Sequence, residues 1–392
     1  MHEINGTVRT GFEGVRDAFT RNFTEGREAG AGLVVLHHGN PLVDLWGGLA
    51  DPATGRRWQR DTLATVASTT KAMAAVAALT LVDRGLVELD EPIARYWPEF
   101  AAAGKAGVTL RMLLSHSSGL VTLDADPITY PDLVAITPTF DKIAAAGLEW
   151  APGSAHGYHG VTLGHALSGL VHRVTERSVG TYFAAEIAGP LGLDCFIGLP
   201  EAELPRLARL VLPGMAEEVR LGETELREWA EAAVDPLSLG YRATQGSLAI
   251  GWAEATDPKF ALVEAPSTDG VASAAGLAGL FASLLNGRAV SRELVDQARR
   301  RHASGVDRVL GCRTDWGLGF MLPGGPMVPD ALPEGAFGHG GSTGAFGFAD
   351  PGTGLSFGYV PNRGAELLEG VGFRVTGLVE AVYAAVRGGG LG

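Results

Sequence analysis

Segments with the pattern of β-strands lie near both ends of this 392-residue chain, and a long, mainly helical stretch separates them. Near the N-terminus, the apolar runs 32–36 and 42–46 flank residues 37–41, which have the composition of a hairpin turn. Near the C-terminus, a glycine-rich turn joins the runs 344–349 and 355–360. Neighbouring antiparallel strands argue against a doubly wound parallel sheet. The pattern instead predicts one sheet that is assembled from both ends of the chain.

Apolar residues also recur at the three- and four-residue spacing of amphipathic helices. One such face lies near the N-terminus and consists of Val8, Phe12, Val15, Phe19 and Phe23. Residues 68–84 form an almost wholly apolar helical pattern, and Gly85 suits its C-terminal stop. The last predicted helix carries an apolar stripe of Val371, Val375, Leu378, Val382 and Val386.

The middle of the chain predicts a separate helical unit. Residues 86–189 alternate helical patterns with loops rich in proline and glycine, and the chain length suits two joined domains. We therefore predict an α+β protein with two domains. A discontinuous α/β sandwich domain comprises residues 1–85 and 190–392, and residues 86–189 form a mainly helical insertion.

The composition excludes several classes of protein. Hydrophobic residues make up 46% of the chain and charged residues 19%, which argues against disorder. The net charge of −13, with no cluster of basic residues, argues against nucleic acid as a partner. The N-terminus lacks a signal-peptide pattern, and the apolar run 72–82 is too short to span a bilayer. We expect a cytoplasmic protein whose two cysteines, Cys195 and Cys312, are reduced.

The strongest chemical signal is Ser68-Thr69-Thr70-Lys71, an S-x-x-K sequence at the start of the apolar helix. Residues i and i+3 share one face of a helix, so the lysine amine can lie beside the serine oxygen. The helix N-terminus favours an alkoxide and disfavours an ammonium, and burial also favours the neutral amine. A neutral Lys71 could then accept the proton of Ser68, which predicts a nucleophilic serine.

Two glycine-rich loops complete the candidate site. Tyr158 lies in the loop 153–160 and could relay a proton to a leaving group if a cationic neighbour lowered its pKa. His156 and His159 in the same loop could suggest a metal, but no further ligand set accompanies them, so we expect none. In the second loop, residues 337–344, a backbone N–H could stabilise an oxyanion. The chain has neither the H-E-x-x-H motif of zincins nor a P-loop.

These three elements, in this order, resemble the serine β-lactamase and penicillin-binding-protein superfamily, and most of all its family VIII carboxylesterases. The resemblance runs from about residue 30 to residue 362 and includes the stretches 86–93, 109–119 and 270–278. It implies a β-lactamase-like fold, in which an antiparallel sheet flanked by helices lies beside a helical domain. The active site would lie in the cleft between the two.

The resemblance also implies roles for residues. Ser68 matches the acylated serine, Lys71 its base, and Tyr158 the tyrosine of the family's Y-x-N motif. The backbone N–H groups of Ser68 and Ser342 match the oxyanion hole. The expected substrate-binding residues are His159, His339, Gly340 and Gly341.

The sequence departs from the family pattern at two positions. Gly160 replaces the asparagine of Y-x-N, which removes an amide that would contact the side chain of a lactam. His339-Gly340-Gly341 replaces K-T-G, and histidine is largely neutral at pH 7 where lysine is a fixed cation. Because that cation helps to hold the carboxylate of penicillins and cephalosporins, its loss favours a neutral ester.

We therefore expect a serine carboxylesterase that hydrolyses short-chain acyl esters through an acyl-serine and needs no cofactor. Its partner would be a small-molecule ester, with no nucleic acid or membrane, and the oligomeric state stays open. The same acyl-serine could serve a β-lactamase, a D-Ala-D-Ala peptidase, an acyltransferase or an amidase. A non-catalytic sensor with this fold is the remaining alternative.

Overall fold

The structure, a computed structural model, describes residues 3–212, 234–250, 252–364 and 372–391. Its strands are β1 (Ile4–Val8), β2 (Gly30–His37), β3 (Asn40–Asp51), β4 (Arg56–Arg57), β5 (Ala64–Thr65), β6 (Ile128–Thr129), β7 (Cys195–Phe196), β8 (Leu248–Ala249), β9 (Val271–Ala272), β10 (Ala303–Val306), β11 (Arg313–Trp316), β12 (Met321–Leu322), β13 (Phe337–Gly340), β14 (Phe346–Asp350) and β15 (Leu355–Pro361).

Its α-helices are α1 (Glu13–Thr24), α2 (Thr70–Asp83), α3 (Leu110–Leu114), α4 (Tyr130–Ala135), α5 (Thr137–Ala145), α6 (Thr162–Thr175), α7 (Val179–Phe183), α8 (Gly189–Leu191), α9 (Leu239–Arg242), α10 (Trp252–Ala255), α11 (Ala274–Leu285), α12 (Arg292–Ala298) and α13 (Gly372–Arg387). A π-helical turn spans Ala184–Ala188, and short 3₁₀ turns span Ala67–Thr69, Ile93–Arg95, Pro98–Ala101, Glu201–Arg206, Gln245–Ser247 and Pro258–Leu262.

One antiparallel sheet dominates the structure. In the described residues its strands follow the order β1-β3-β2-β15-β14-β13-β12-β11-β10, and β4 pairs with β3. Strand β2 from the N-terminal part pairs with β15 from the C-terminal part, and Leu36 lies opposite Ser356. The prediction of a sheet assembled from both chain ends is therefore confirmed.

Both predicted hairpins form. The strands of the first hairpin, β2 and β3, are longer than the apolar runs that predicted them. His38 and Gly39 connect β2 to β3 with φ angles of 48° and 82°. A turn with two consecutive positive φ values matches the right-handed twist of the hairpin strands. Gly39 adopts its positive φ without steric strain. The second hairpin pairs β14 with β15 between Phe346 and Pro361, as the late apolar runs predicted.

The first and last helices, α1 and α13, pack together on one face of the sheet. Their apolar stripes are buried there, namely Phe12, Val15, Phe19 and Phe23 with Val375, Leu378 and Val382. Val8, predicted on the same helical face, lies in β1 instead, because the chain pairs with β3 before the helix begins. Val371 lies outside the described residues.

The other face of the sheet packs against α11, and α2 lies between the sheet and the helices of the middle region. Gly358 in β15 allows α11 to approach closely, since a Cβ there would lie 2.4 Å from the Ala274 carbonyl oxygen. Residues 70–81 of α2 are all buried, as expected for a helix that is apolar on every side. The helix ends at Asp83, and Gly85 follows with a φ of 68°. The S-x-x-K sequence 68–71 therefore lies where this buried helix begins.

The domain boundaries at residues 85 and 189 remain a prediction. Residues 238–249, which the prediction assigned to the sandwich domain, pack against the helical region. Strand β8 pairs in parallel with β6, and Arg242 forms ion pairs with Asp124 and Glu149. We name residues 238–249 the covering segment. In the part of the chain that is described, no helix is long and apolar enough to cross a membrane.

Candidate active site

Ser68 and Lys71 lie at the start of α2, where a 3₁₀ turn leads into the helix. The Lys71 Nζ lies 3.1 Å from the Ser68 Oγ and also donates a 2.7 Å hydrogen bond to the carbonyl oxygen of Ser267. Ser68 is partly exposed, whereas Lys71 is completely buried. Ala67 has a φ of 44°, a conformation that costs a non-glycine residue about 1 kcal/mol or more and is typical of functional sites. The pair therefore has the geometry of a nucleophile and its base.

The charge of Lys71 depends on two opposing effects. Burial lowers its pKa to about 7, and the negative charge of Asp269 works in the other direction. Burial also raises the pKa of Asp269 to about 6, although the neighbouring Thr268 side chain and the positive charge of Lys71 oppose this. At neutral pH a large fraction of Lys71 is therefore a neutral amine, which can accept a proton from Ser68.

Tyr158 is fixed by three consecutive backbone N–H groups in its loop. Gly157 donates to the His116 carbonyl oxygen at 3.0 Å, Tyr158 to Asp307 Oδ1 at 3.0 Å, and His159 to His116 Nδ1 at 2.9 Å. His116 has a φ of 58°, a left-handed conformation that histidine adopts more readily than most residues. The loop is therefore anchored on both sides of the tyrosine.

The Tyr158 side chain reaches the start of α2. It interacts with the side chain of Ser68, and Lys71 Nζ lies 4.8 Å from the centre of its ring. Burial raises the pKa of Tyr158, and the nearby charge of Asp307 raises it further, so the side chain stays a phenol. The condition considered from the sequence, a cationic neighbour that lowers this pKa, is therefore not met, because burial dominates. As a neutral phenol, Tyr158 is equipped to donate a proton.

The end of β13 runs beside the turn that carries Ser68. A Cβ on Gly341 would lie 2.2 Å from the Val66 carbonyl oxygen and 3.1 Å from the Ser68 nitrogen, so only glycine fits here. Ser342 follows directly, is exposed, and begins the turn that leads to β14. The predicted oxyanion donors, the N–H groups of Ser68 and Ser342, therefore belong to segments that lie next to each other.

Residues 340–344, Gly-Gly-Ser-Thr-Gly, also fit the G-x-S-x-G pattern of α/β-hydrolases. In those enzymes the serine occupies a sharp turn between a strand and a helix. Here Ser342 lies in the turn between two antiparallel strands, β13 and β14. No hydrogen bond from another described residue reaches its hydroxyl. Ser342 therefore lacks the base that Ser68 has in Lys71.

His339 lies in β13 on the side of Tyr158, with 6.4 Å between the two ring centres. It is completely buried, and its Nδ1 lies 2.8 Å from the Gly340 carbonyl oxygen. That nitrogen must therefore carry the hydrogen, and Nε2 is an acceptor without a partner in the described residues. Burial and the charge of Lys71 lower the pKa of His339 to about 3. The side chain is thus neutral at pH 7, as the sequence comparison with lysine implied.

His159, a predicted substrate-binding residue, is completely buried, and both of its ring nitrogens have hydrogen-bond partners. Its Nδ1 lies 2.7 Å from the Gly157 carbonyl oxygen, and its Nε2 lies 2.6 Å from Ser118 Oγ. This leaves no ring nitrogen for a substrate, so we expect His159 to support the loop. His156 pairs with Thr314 instead, at 3.0 Å. In the described residues, no three His, Cys, Asp or Glu side chains are grouped as metal ligands would be.

Gly160, the second departure from the family pattern, lies directly beneath the covering segment. A Cβ at this position would lie 2.8 Å from both the Ala243 carbonyl oxygen and Thr244 Cγ2. The space that an asparagine side chain would need is therefore already filled. Ser247 holds the covering segment in place by accepting a 2.7 Å hydrogen bond from the Leu123 N–H.

Several residues that shape the site were missed from the sequence. His116 and Asp269 lie within or next to stretches that carried the family resemblance, but nothing local marked them as partners of Tyr158 or Lys71. Ser267 acts through its carbonyl oxygen, which no side-chain pattern reveals. Asp307 follows β10 and Trp316 ends β11, and both reach Tyr158 only through the fold.

Comparisons with known proteins show the family of this chain. The family model described as Beta-lactamase matches residues 15–372. Esterase/beta-lactamase LipL of Mycobacterium tuberculosis is 34% identical over 373 residues, which cover 92% of this chain and 83% of that protein. Esterase EstB of Burkholderia gladioli is 31% identical over 398 residues, which cover 93% of each chain. A solved family VIII carboxylesterase has a TM-score of 0.84 and 34% identity, covering 98% of this chain and 100% of that chain. This chain belongs to the β-lactamase family and is a serine hydrolase.

Proposed function

We propose that this protein is a carboxylesterase that hydrolyses short-chain acyl esters, with Ser68 as its nucleophile. One observation carries the proposal. The amine of Lys71 lies 3.1 Å from the Ser68 Oγ, and burial lowers its pKa to about 7. The relatives that bear esterase names support the same class of substrate.

The proposed acylation step uses three side chains. Neutral Lys71 takes the proton of Ser68 as its oxygen attacks the ester carbonyl, and the N–H groups of Ser68 and Ser342 stabilise the oxyanion. Each such donor is typically worth about 3 kcal/mol. Tyr158 then donates its phenolic proton to the departing alkoxide. The protons balance when the Lys71 ammonium returns its proton to the Tyr158 oxygen.

Deacylation repeats the same steps with water as the nucleophile. A water molecule beside the acyl-serine attacks the carbonyl and loses a proton to the Lys71–Tyr158 pair. The collapse of the tetrahedral intermediate then returns a proton to Ser68 Oγ and releases the carboxylic acid. By microscopic reversibility the same two groups serve both half-reactions, which explains why a single pair suffices.

The preference for an ester over a β-lactam rests on His339 and Gly160. With a pKa lowered to about 3, His339 offers no cation to a lactam carboxylate at neutral or mildly acidic pH. A histidine with the ordinary pKa near 6.5 would become charged in mild acid, and burial removes that possibility here. The covering segment also fills the position of the family's asparagine. A neutral ester with a short acyl group needs neither contact.

A comparison of substrates tests the proposal. We expect kcat/KM for p-nitrophenyl esters of short acids to exceed that for a chromogenic cephalosporin by several orders of magnitude. His339→Lys should lower the KM for the cephalosporin by up to about tenfold, or about 1.4 kcal/mol, because a cation is restored near its carboxylate. A wild-type enzyme that prefers the cephalosporin would show that the ester assignment is wrong.

A further inference from the structure

Asp307, which directly follows β10, is a completely buried carboxylate that accepts hydrogen bonds from two parts of the site. Its Oδ1 accepts backbone N–H groups from Tyr158 at 3.0 Å and from Val309 and Leu310 at 2.9 Å. Its Oδ2 accepts from Thr314 Oγ1 at 3.2 Å and from Trp316 Nε1 at 3.4 Å. One carboxylate therefore joins the backbone of Tyr158 to the side chain of Trp316.

Trp316 is the platform on which Tyr158 lies. The two rings are stacked with 5.6 Å between their centres and 12° between their planes. Trp316 also contacts His116, at 4.1 Å between ring centres, and His116 holds both neighbours of Tyr158. The position of the phenol thus depends on its backbone and on the ring beneath it, and Asp307 binds to both.

We propose that Asp307 is a positioning residue for Tyr158, which it holds in place for proton donation to the leaving group. This inference rests on the proposed function, in which Tyr158 is the proton donor. The negative charge of Asp307 also raises the pKa of Tyr158, in addition to the larger effect of burial. Asp307 therefore favours the phenol as the state from which a proton can be donated.

Asp307→Asn tests this role with little change of shape. If the oxygen of the asparagine keeps the three backbone hydrogen bonds, the NH₂ group of the asparagine faces Thr314 Oγ1 and Trp316 Nε1. The Trp316 N–H then loses its hydrogen-bond acceptor. Proton donation matters most when the leaving group is a poor one, because p-nitrophenolate departs without a proton and an alkoxide does not. The measurement is kcat/KM, which reports acylation, for p-nitrophenyl acetate and for ethyl acetate.

We expect Asp307→Asn to reduce kcat/KM for ethyl acetate at least tenfold more than for p-nitrophenyl acetate, in the same direction as Tyr158→Phe. Asp350→Asn is the matched control. Asp350 is also buried and accepts bonds from Gly352, Thr353 and Tyr383, but it lies at the end of β14 away from Gly340. A structural defect alone would lower both rates equally, as we expect for this control.

Trp316→Phe provides a second test should Asp307→Asn fail to fold. It removes the N–H donated to Asp307 but keeps an aromatic ring under Tyr158, so the same leaving-group dependence should appear in weaker form. Equal losses on both esters in these variants would overturn the role of Asp307. The proposed function fails separately, through a wild-type enzyme that hydrolyses neither ester or a Tyr158→Phe variant with unchanged rates.

Discussion

At the scale of single residues, the reactivity of the site depends on how burial changes the charge of Lys71. Burial lowers the pKa of this lysine to about 7, and it raises that of Tyr158, so the two groups are in the protonation states that a base and an acid require. The pairing of Ser68 with Lys71 could be predicted because it is local to one helical turn. The contacts to Ser267 and Asp307 could not, because they join segments that are distant in the chain.

The pKa of Lys71 predicts the pH dependence of the reaction. The base must be neutral to accept a proton, so kcat/KM for a short ester should fall about tenfold per pH unit below pH 7 and level off above it. The buried histidines His159 and His339 should not contribute, because their pKa values are lowered to about 4 and about 3. The measurement is a pH–rate profile from pH 5 to pH 9. A profile that is flat down to pH 5 would contradict the assignment of Lys71 as the base.

At the scale of secondary-structure elements, the strands and helices with strong periodicity could be predicted, whereas their contacts could not. The hairpins and the buried helix α2 follow from apolar patterns within short segments. The position of the covering segment over Gly160 depends on a parallel pairing between β6 and β8, which lie more than a hundred residues apart. No local pattern indicates such a contact.

The covering segment gives a prediction for Gly160→Asn. This substitution restores the family's asparagine, but its Cβ would clash with Ala243 and Thr244. We expect a loss of about 1–3 kcal/mol in the free energy of unfolding, the usual range for overpacking, and no gain in cephalosporin hydrolysis. Gly147→Asn is the control, since an added Cβ at that exposed glycine meets no atom within 4 Å. Urea titrations compare the free energies of unfolding of the two variants. A Gly160→Asn enzyme as stable as Gly147→Asn would show that the covering segment moves to make room for the asparagine.

At the scale of the whole molecule, the sheet joins both chain ends and encloses a core with many buried polar groups. His116, His159, His165 and His339 are all buried, and burial lowers the pKa of each of them. The resemblance to a known family predicted this architecture, because its motifs occur along most of the chain. The burial of the histidines could not be predicted, since the sequence does not show which loops enclose them.

These histidines predict a loss of stability in mild acid. Their folded-state pKa values lie below the ordinary value near 6.5, so below that pH only the unfolded chain binds the extra protons. The stability they contribute is complete above pH 6.5 and is lost as the pH falls toward 4, by up to about 1.4 kcal/mol per pH unit for each histidine. The raised pKa values of Asp269 and Glu264 have the opposite effect on stability. Because only these two carboxyl groups oppose the four histidines, we expect a net loss of stability in acid.

Unfolding in urea at pH 7.5, 6 and 5 measures this effect. His165→Leu removes one of the four histidines and changes no predicted catalytic residue. The free energy of unfolding of this variant should therefore depend less steeply on pH, by the contribution of about one proton. A variant with the same pH dependence as the wild type would contradict the proposed contribution of His165.

The most direct test of the central claim is the mass of the acyl-enzyme. Wild-type protein mixed with a p-nitrophenyl ester and quenched in acid should gain the mass of one acyl group, and peptide mapping should locate that group on Ser68. The variant Ser68→Ala should gain no mass and should not hydrolyse the ester, while remaining folded. An acyl group found on Ser342, or full activity in Ser68→Ala, would contradict the account.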